Sequence, residues 1–365
     1  MGSYNRRTFL KVAGGIGATS VTAMAGCSGG ENTDAETTTE ESGSDTTNVG
    51  MVYATGGLGD GSFNDQAQQG IIQASEDFAV EYDEAQPEEV SQFGNYQTQF
   101  AGSTDPNYDL ISTIGFLQTD ALSGTAPDYP DQNFMIVDSV VEEDNVASYI
   151  FREHEGSYLV GQLAGLLTTS DFSAGAGSTK PDTKSVGFVG GVEGTLIKKF
   201  EAGFIAGVKS VDSEIEVQSS YVGSFNEPSS GEETAIAMYE SGSDVVYHAS
   251  GNTGTGVFEA AQSKGRFAIG VDRDQSITKE SYADVILASM VKRVDTAVYT
   301  AVESVVEGTF ESGITTLGLD EGGIAAVYGS ELGSEVPQDV KDEIAATRES
   351  IIAGDISVPT DPENA

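Results

Sequence analysis

The sequence predicts an α/β protein of two lobes, each built on a doubly wound parallel sheet. Between Asn48 and about Pro359, short apolar runs that end in Gly or Asp alternate with longer stretches of helical period, which is typical of βαβ units. The length of 365 residues corresponds to roughly two domains. Hydrophobic residues make up 38% of the chain, which is enough to build a core in each lobe.

In the first half, runs rich in β-branched and aromatic residues predict strands, and apolar residues recurring every three or four positions predict helices. The predicted elements are strand Val49–Thr55, helix Asp65–Glu81, strand Leu110–Ile114, helix Thr119–Ser123, strand Asn133–Asp138 and the extended run Val146–Phe151.

In the second half, the alternation of strand and helix is more regular, and Gly175–Lys184, rich in Gly, Ser and Thr, predicts a surface loop. The predicted elements are helix His154–Thr169, strand Ser185–Val189, helix Leu196–Val211, strand Val217–Val222, helix Gly231–Glu240, strand Asp244–His248, helix Thr255–Lys264, strand Phe267–Asp272, strand Asp284–Val291, helix Val294–Glu307, an irregular Thr315–Tyr328 and helix Gln338–Ala353.

The N-terminal segment has the pattern of an export signal. The paired Arg6 and Arg7 precede an apolar stretch of about 14 residues and a small-residue cleavage site. The arginine pair resembles a twin-arginine signal, and the residues up to Cys27 resemble a lipobox. We therefore expect residues 1–26 to be a cleaved signal and Cys27 to be lipidated on the extracytoplasmic face of the cell membrane. Residues 27–47 are almost wholly polar and are expected to form a disordered tether.

The charge balance excludes several classes of partner. Lys plus Arg is 17 against 58 for Asp plus Glu, a formal net charge of −41. A surface this negative repels phosphate backbones, so we expect no nucleic-acid binding. It also indicates adaptation to high salt, as in a halophilic archaeon, because the Debye length is about 3 Å at 1 M. The single cysteine excludes an intramolecular disulfide and a cysteine-based zinc site.

Aspartates recur where predicted strands stop. Asp138 and Asp272 end two strands, and Asp60 follows the first strand through the glycines of 56–59. In open α/β lobes ligands bind at the carboxyl ends of strands. Ionised carboxylates only accept hydrogen bonds, so such a cluster suits the hydroxyl and amino donors of a sugar or nucleoside. The alternative is that these aspartates serve turns and helix caps.

Two phenylalanines and one lysine are further candidates. Phe63 lies in a polar loop without an obvious core partner, which favours stacking on a ligand over local packing. Phe200 fits either a helix core stripe or the cleft, and periodicity alone favours the core. Lys292 ends a predicted strand near the carboxylates, where a cation would fix their ionisation and donate to ligand oxygens; otherwise it is an ordinary solvated lysine.

Residues for catalysis are scarce. Only His154 and His248 are present, there is no G-x-S-x-G elbow, and 56–59 lacks the lysine of a phosphate-binding loop. His154 is expected at the surface or a hinge, and His248 is a possible cleft residue. We therefore predict a protein that is not an enzyme and that needs no cofactor or metal.

Six motifs occur in a fixed order along the chain. They are Gly59-Asp60-Gly61-Ser62-Phe63-Asn64-Asp65, Val137-Asp138, Phe151-Arg152-Glu153-His154-Glu155-Gly156-Ser157-Tyr158-Leu159-Val160-Gly161, Lys199-Phe200-Glu201-Ala202-Gly203-Phe204, Gly270-Val271-Asp272-Arg273-Asp274-Gln275 and Lys292. With these motifs the sequence resembles the basic membrane protein family from about Val49 to Pro359. Members of that family are substrate-binding lipoproteins of ABC transporters, including purine nucleoside receptors. One departure is Asp65, where Gln is more usual.

The resemblance implies a type I periplasmic-binding fold whose two lobes close over a ligand. It implies an N-terminal lobe of residues 48–146 and 275–308 and a C-terminal lobe of residues 147–274 and 309–358. Three crossing segments are then expected, near Val146–Phe151, Asp274–Tyr282 and Gly308–Thr315.

The resemblance also implies residue roles and partners. Phe63 and Phe200 would sandwich a base, which reverses the preference from periodicity for Phe200. The other implied ligand residues are Asn64 and Asp138 at the base edge, and Gly270, Asp272 and Lys292 at the ribose with Asp60 beside them. The expected function is capture of a nucleoside, a purine nucleoside first, by a monomer that serves an ABC permease and ATPase. Alternatives are another solute such as a sugar, a sensory ligand receptor, and a nucleoside hydrolase.

Overall fold

The computed structural model describes residues 46–365, so the predicted signal, Cys27 and most of the predicted tether lie outside the described residues. The strands are β1 Thr47–Val52, β2 Val80–Ala85, β3 Leu110–Ile114, β4 Asn133–Val137, β5 Val146–Phe151, β6 Ser173–Ala174, β7 Gly177–Ser178, β8 Ser185–Gly190, β9 Glu216–Tyr221, β10 Val245–Ala249, β11 Phe267–Asp272, β12 Ile286–Lys292, β13 Gly313–Leu317 and β14 Ile324–Tyr328. The helices are α1 Phe63–Asp77, α2 Phe93–Ala101, α3 Thr119–Thr125, α4 Glu153–Thr168, α5 Thr195–Val211, α6 Pro228–Glu240, α7 Gly254–Lys264, α8 Gln275–Thr278, α9 Val294–Val306 and α10 Gln338–Ile352.

Two six-stranded sheets form the centres of two lobes. The first has the order β13-β5-β4-β3-β1-β2 and is parallel throughout. The second has the order β14-β12-β11-β10-β8-β9 and is parallel except for β14. Both sheets reverse their strand order beside β1 and β8, which is the doubly wound arrangement. The predicted two-lobe α/β fold is confirmed.

The differences from prediction lie at sheet edges. The predicted helix Asp65–Glu81 ends at Asp77, and the edge strand β2 begins at Val80, where exposed acidic residues hide the strand pattern. The sequence pattern does not predict helix α2, Phe93–Ala101. The segment predicted as irregular, Thr315–Tyr328, contains most of β13 and all of β14, which are the edge strands of the two sheets.

The chain changes lobe at places other than those expected. Strands β5 and β13 pair in the first sheet, and β12 pairs in the second, so the predicted boundaries at 146, 274 and 308 are corrected by strand pairing. The crossings follow these strands at Arg152, Arg293 and 318–323. Backbone hydrogen bonds join them, from Arg152 N to Leu317 O at 2.9 Å and from Arg293 N to Gly323 O at 2.9 Å.

Glycines bring α4 and α5 into backbone contact in the second lobe. A Cβ at Gly203 would lie 2.2 Å from the His154 carbonyl oxygen, and one at Gly207 would lie 2.0 Å from that of Tyr158. This approach fixes the start of α4, which directly follows the first crossing, beside the middle of α5. Within residues 46–365 no helix is long and apolar enough to span a bilayer.

Candidate ligand-binding site

A chamber that opens to solvent lies between the lobes at the carboxyl ends of the strands. Clefts between domains are a common place for small-molecule sites. All the predicted ligand residues except Gly270 line it, namely Asp60, Phe63, Asn64, Asp138, Phe200, Asp272 and Lys292.

The loop between β1 and α1 is organised by Asp60. Its buried carboxylate accepts hydrogen bonds from the backbone N–H groups of Ser62 at 2.8 Å and Asn64 at 2.9 Å. Burial raises the pKa of Asp60, although these hydrogen bonds oppose the rise. The Asn64 side chain is fixed in turn, because its Oδ1 accepts from Ala54 N at 2.9 Å. Asp60 therefore shapes the loop that presents Phe63 and Asn64 to the chamber.

Two phenyl rings from different lobes face the chamber. Phe63 begins α1 in the first lobe, and Phe200 lies on α5 in the second. The Lys292 Nζ is 4.9 Å from the centroid of Phe63 and 5.4 Å from that of Phe200. Gly115 makes room for Phe63, since a Cβ there would lie 3.3 Å from the ring. The sequence-based preference for Phe200 as a pure core residue is thus only half right, because its buried ring also lines the chamber.

Asp138 and Asp272 hold equivalent positions in the two lobes. Asp138 follows β4 and Asp272 ends β11, which are the corresponding strands of the two sheets. Both have left-handed backbone, with φ of 70° and 65°, a conformation that costs free energy for a residue other than glycine. Strain of this kind is retained where surrounding structure enforces it, and it turns both carboxylates into the chamber.

Lys292 connects the lobes through a buried ion pair. Its Nζ donates to Asp138 Oδ2 at 2.6 Å, and both side chains are almost fully buried. Glu153 Oε1 lies 3.6 Å from the same ammonium. Burial alone lowers the pKa of Lys292, but the surrounding carboxylates, Asp138 first, outweigh that effect and the net pKa is raised. The ammonium is therefore charged at neutral pH.

Hydroxyl and amide groups complete the contact between lobes. The Ser62 hydroxyl of the first lobe donates to Asp272 Oδ2 in the second. Gly61 O accepts from Thr278 Oγ1 at 2.8 Å and from Gln275 Nε2 at 3.4 Å. Burial raises the pKa of Asp272 to about 6, against the opposing effects of Lys292 and the Ser62 hydrogen bond. Asp272 therefore already accepts a hydrogen bond, from Ser62, in this structure.

Two expected residues lie outside the chamber. Gly270 packs behind it, because a Cβ there would lie 2.7 Å from Gln275 Oε1 and 2.7 Å from Ser289 Oγ. The missing side chain at position 270 therefore makes room for Gln275, the first residue of α8, rather than for a ligand. His248 is fully buried, its Nε2 lies 2.9 Å from Gln275 Oε1, and burial lowers its pKa to about 4.

Three residues in or beside the chamber have no site role in the sequence-based prediction. Glu153 begins α4 and is fully buried, although Glu-His-Glu at a helix start suggests solvent exposure. Phe116 and Phe225 line the chamber from opposite lobes, with ring centroids 6.3 Å apart and an interplanar angle of 83°. A signal for Phe225 was present, since Gly-Ser-Phe-Asn at 223–226 repeats the tetrapeptide at 61–64.

Comparison with known proteins agrees with this architecture. The model of the family described as ABC transporter substrate-binding protein PnrA-like (Bmp) matches residues 47–362. The chain belongs to the Bmp family. This Bmp protein is 34% identical to the ABC transporter nucleoside-binding protein BmpA of Lactococcus lactis, over 94% of this chain and 97% of that one. It is 32% identical to a Pyrococcus furiosus protein named as a lipoprotein, over 91% of this chain and 84% of that one.

A solved structure supports the fold. The crystal structure of an ABC transporter solute-binding protein from Aeropyrum pernix matches with a TM-score of 0.76 at 29% identity, covering 87% of this chain and 95% of that one. The type I periplasmic-binding fold implied by the resemblance is confirmed. This Bmp protein is a solute-binding component of an ABC transporter, and the family supports the prediction that it is not an enzyme. No metal-binding cluster of His, Cys, Asp or Glu occurs among residues 46–365.

Proposed function

We propose that this Bmp protein captures a nucleoside, a purine nucleoside first, in the chamber between its lobes and delivers it to an ABC permease and its ATPase. The observation that carries the proposal is the pairing of two phenyl rings from separate lobes, Phe63 and Phe200, with two inward carboxylates, Asp138 and Asp272. Flat rings suit a heterocycle and carboxylates suit its hydrogen-bond donors.

The two rings lie close to one point in the chamber. The Lys292 ammonium is 4.9 Å from the centroid of Phe63 and 5.4 Å from that of Phe200, so a ligand in contact with one ring lies near the other. A base stacked on an aromatic side chain contributes roughly 1–3 kcal/mol.

Hydrogen bonds would orient the base and sugar. Asp138 Oδ1 is buried and has no hydrogen-bond partner among residues 46–365, so it is a free acceptor for a base N–H. Asn64 Nδ2 donates one N–H to Asp60 Oδ2 at 3.2 Å, and its second N–H is a donor for a ligand in the chamber. In the second lobe Asp272 would accept from a ribose hydroxyl in place of Ser62, and Lys292 would donate to ligand oxygens. A phosphate would meet these carboxylates at close range, which disfavours nucleotides.

The relatives support the ligand class and the location of this proposal. The Lactococcus lactis relative is named as nucleoside-binding, and the Pyrococcus furiosus relative as a lipoprotein. We place this protein on the extracytoplasmic face of the cell membrane, anchored through Cys27 and acting as a monomer. The twin-arginine signal and the adaptation to high salt stay predictions from the sequence.

Calorimetry tests the proposal. Guanosine, adenosine and inosine are titrated into the protein in molar KCl, with ribose, glucose and myo-inositol as comparison solutes. The expected result is micromolar or tighter binding of at least one nucleoside and weaker or no binding of the free sugars. Binding of a sugar without binding of any nucleoside would reject the ligand class, and appearance of free base during incubation would support a hydrolase instead.

A further inference from the structure

The proposed function assigns no role to the buried carboxylate of Glu153. It is the first residue of α4, directly after the crossing at Arg152, and its side chain is fully buried. Neither of its oxygens has a hydrogen-bond partner among the described residues. Buried ionisable groups without hydrogen bonds are costly, so this one requires an explanation.

Two lysine ammonium groups lie within ion-pair distance of Glu153 but do not form a hydrogen bond with it. Lys292 Nζ lies 3.6 Å from Oε1 and Lys199 Nζ lies 3.7 Å from Oε2. The Lys292 ammonium instead donates at 2.6 Å to Asp138, across the lobe boundary. Glu153 is therefore a second acceptor within a small side-chain movement of Lys292, on the same lobe as Lys292.

Ligand binding changes the hydrogen bonding of Asp138. In the proposed function Asp138 accepts from the base, and the base stacks on the two rings that now face the Lys292 ammonium. A base N–H on Asp138 Oδ1 weakens the pull of that carboxylate on Lys292 at Oδ2, and the base replaces the ammonium over the rings. The three N–H groups of Lys292 can then serve both the ligand and the nearest unsatisfied acceptors of its own lobe, the oxygens of Glu153. We propose that Glu153 is a positioning residue that takes over Lys292 when a nucleoside binds, and that it loses a proton as it does so.

The surroundings of Glu153 support a proton that leaves on binding. Burial raises the pKa of Glu153 to about 7, while Lys292 lowers it and Asp138 raises it. Lys199 on α5 and the Tyr247 hydroxyl on β10 also face this carboxylate. A closer Lys292 favours the ionised form of Glu153, so binding and deprotonation are coupled.

Other titratable groups give different signatures. Burial lowers the pKa of His154, next on the helix, to about 4, so it stays neutral between pH 6 and pH 8. His248 has its pKa lowered to about 4 in the same way. The competing source is Asp272, whose pKa burial raises to about 6. The variants E153Q and D272N separate proton release by Glu153 from proton release by Asp272.

The coupling has a sign and a size. A group with a pKa near 7 in the free protein that is ionised in the complex releases about half a proton at pH 7. The affinity then rises about tenfold between pH 6 and pH 8. Without the coupling, Glu153 contributes no pH dependence to binding.

The experiment measures proton release on nucleoside binding. Guanosine, adenosine and inosine are titrated calorimetrically at pH 7 in phosphate and in Tris, whose ionisation enthalpies differ, and the affinity is followed from pH 6 to pH 8. The parent protein is expected to release a proton fraction and to gain affinity with pH. E153Q is expected to release none and to show a flat profile, whereas E193Q, which removes an exposed carboxylate paired with Lys198, is expected to match the parent.

A second pair of variants keeps the test decisive if E153Q does not fold. K199Q removes a cation beside Glu153, so it raises the pKa of that carboxyl and moves the affinity profile to higher pH. K198Q removes the neighbouring exposed lysine and leaves the profile in place.

The outcomes separate this inference from the proposed function on which it rests. A parent that binds none of the three nucleosides refutes the proposed function, and this inference falls with it. A parent that binds but releases no proton refutes this inference alone. Three other results also refute it: proton release that persists in E153Q, proton release that disappears only in D272N, and an affinity profile in K199Q that coincides with that of K198Q.

Discussion

Replacement of the Phe63 ring tests the physical basis of ligand capture. Phe63 is partly exposed, lines the chamber and lies above the strand ends of the first lobe. Loss of one stacked base contact costs roughly 1–3 kcal/mol, which is about 5- to 150-fold in Kd. We therefore expect Phe63→Ala to weaken nucleoside binding by that factor, measured by calorimetry with guanosine, adenosine and inosine in molar KCl.

The stability of the same variant should change little. A fully buried phenylalanine costs roughly 3–5 kcal/mol when it is cut to alanine, and a partly exposed one costs less. Phe204 provides the matched control, since it is fully buried on α5 one turn beyond Phe200 and does not line the chamber. Phe204→Ala is expected to lower the free energy of unfolding by the full amount and to leave the affinity of the folded protein near the parent value.

A third variant separates stacking from simple burial. Phe63→Leu keeps an apolar side chain but removes the ring face, so it should lose most of the affinity if stacking is the cause. Parent-like affinity in Phe63→Ala refutes the reasoning altogether. Parent-like affinity in Phe63→Leu, with a loss only in Phe63→Ala, refutes the stacking argument and leaves apolar contact in its place.

Three further variants probe the surroundings of the ring. Gly115 has φ of 108° and its Cβ would crowd Phe63, so Gly115→Ala should cost about 1–3 kcal/mol of stability and weaken nucleoside binding, as measured by denaturant unfolding and calorimetry. Lys292→Met strands the buried Asp138, so chemical unfolding should report a loss of roughly 3–5 kcal/mol at pH 7 that shrinks in acid as carboxylates become protonated. Phe225→Ala removes the aromatic contact across the chamber, worth about 0.5–1.5 kcal/mol, so ligand dissociation measured by stopped-flow competition should become about two- to tenfold faster; an unchanged rate would exclude a role for this ring pair in closure.

Protonation of buried carboxyls also affects stability, with a defined sign. The pKa of Glu153 in the folded protein, about 7, lies above its ordinary value of 4.5. The folded state therefore binds more protons than the unfolded chain between those values, and its contribution to stability is lost as the pH rises through that window. Thermal melts of the parent and E153Q from pH 5 to pH 8 should differ by this loss, and parallel melting curves would contradict it.

The parts of the site that were predictable from the sequence follow from parallel-sheet geometry. Strands that run in one direction bring their carboxyl ends to one edge, so Asp138 and Asp272 could each be placed at the binding edge of its own sheet from local patterns, and the two-lobe prediction made those edges face a shared cleft. Phe63 was recognisable as a ligand residue because the polar loop around it, residues 59–65, contains no other apolar side chain for its ring to pack against. Phe200 was not, because a residue on a helix stripe reaches both the core and the chamber, and only the family resemblance indicated the second role.

The parts that were not predictable depend on contacts between distant segments. The lobe changes at Arg152 and Arg293 follow strands whose patterns look like any other strand, and only pairing shows to which sheet each belongs. The burial of Glu153 depends on the glycine contact between α4 and α5 and on Lys292, which follows more than a hundred residues later. Gly270 was assigned to the ligand, whereas its missing side chain serves close packing.

The hydroxyl of Ser62 on Asp272 has a consequence for unloading. An importer component has to surrender its cargo as readily as it takes it up, and a bare buried carboxylate left behind would oppose departure. In the proposed function Ser62 bonds to that acceptor again as the ligand leaves, so no buried acceptor is left without a partner. Ser62→Ala should therefore slow ligand dissociation, because the departing ligand would leave Asp272 without this hydrogen bond.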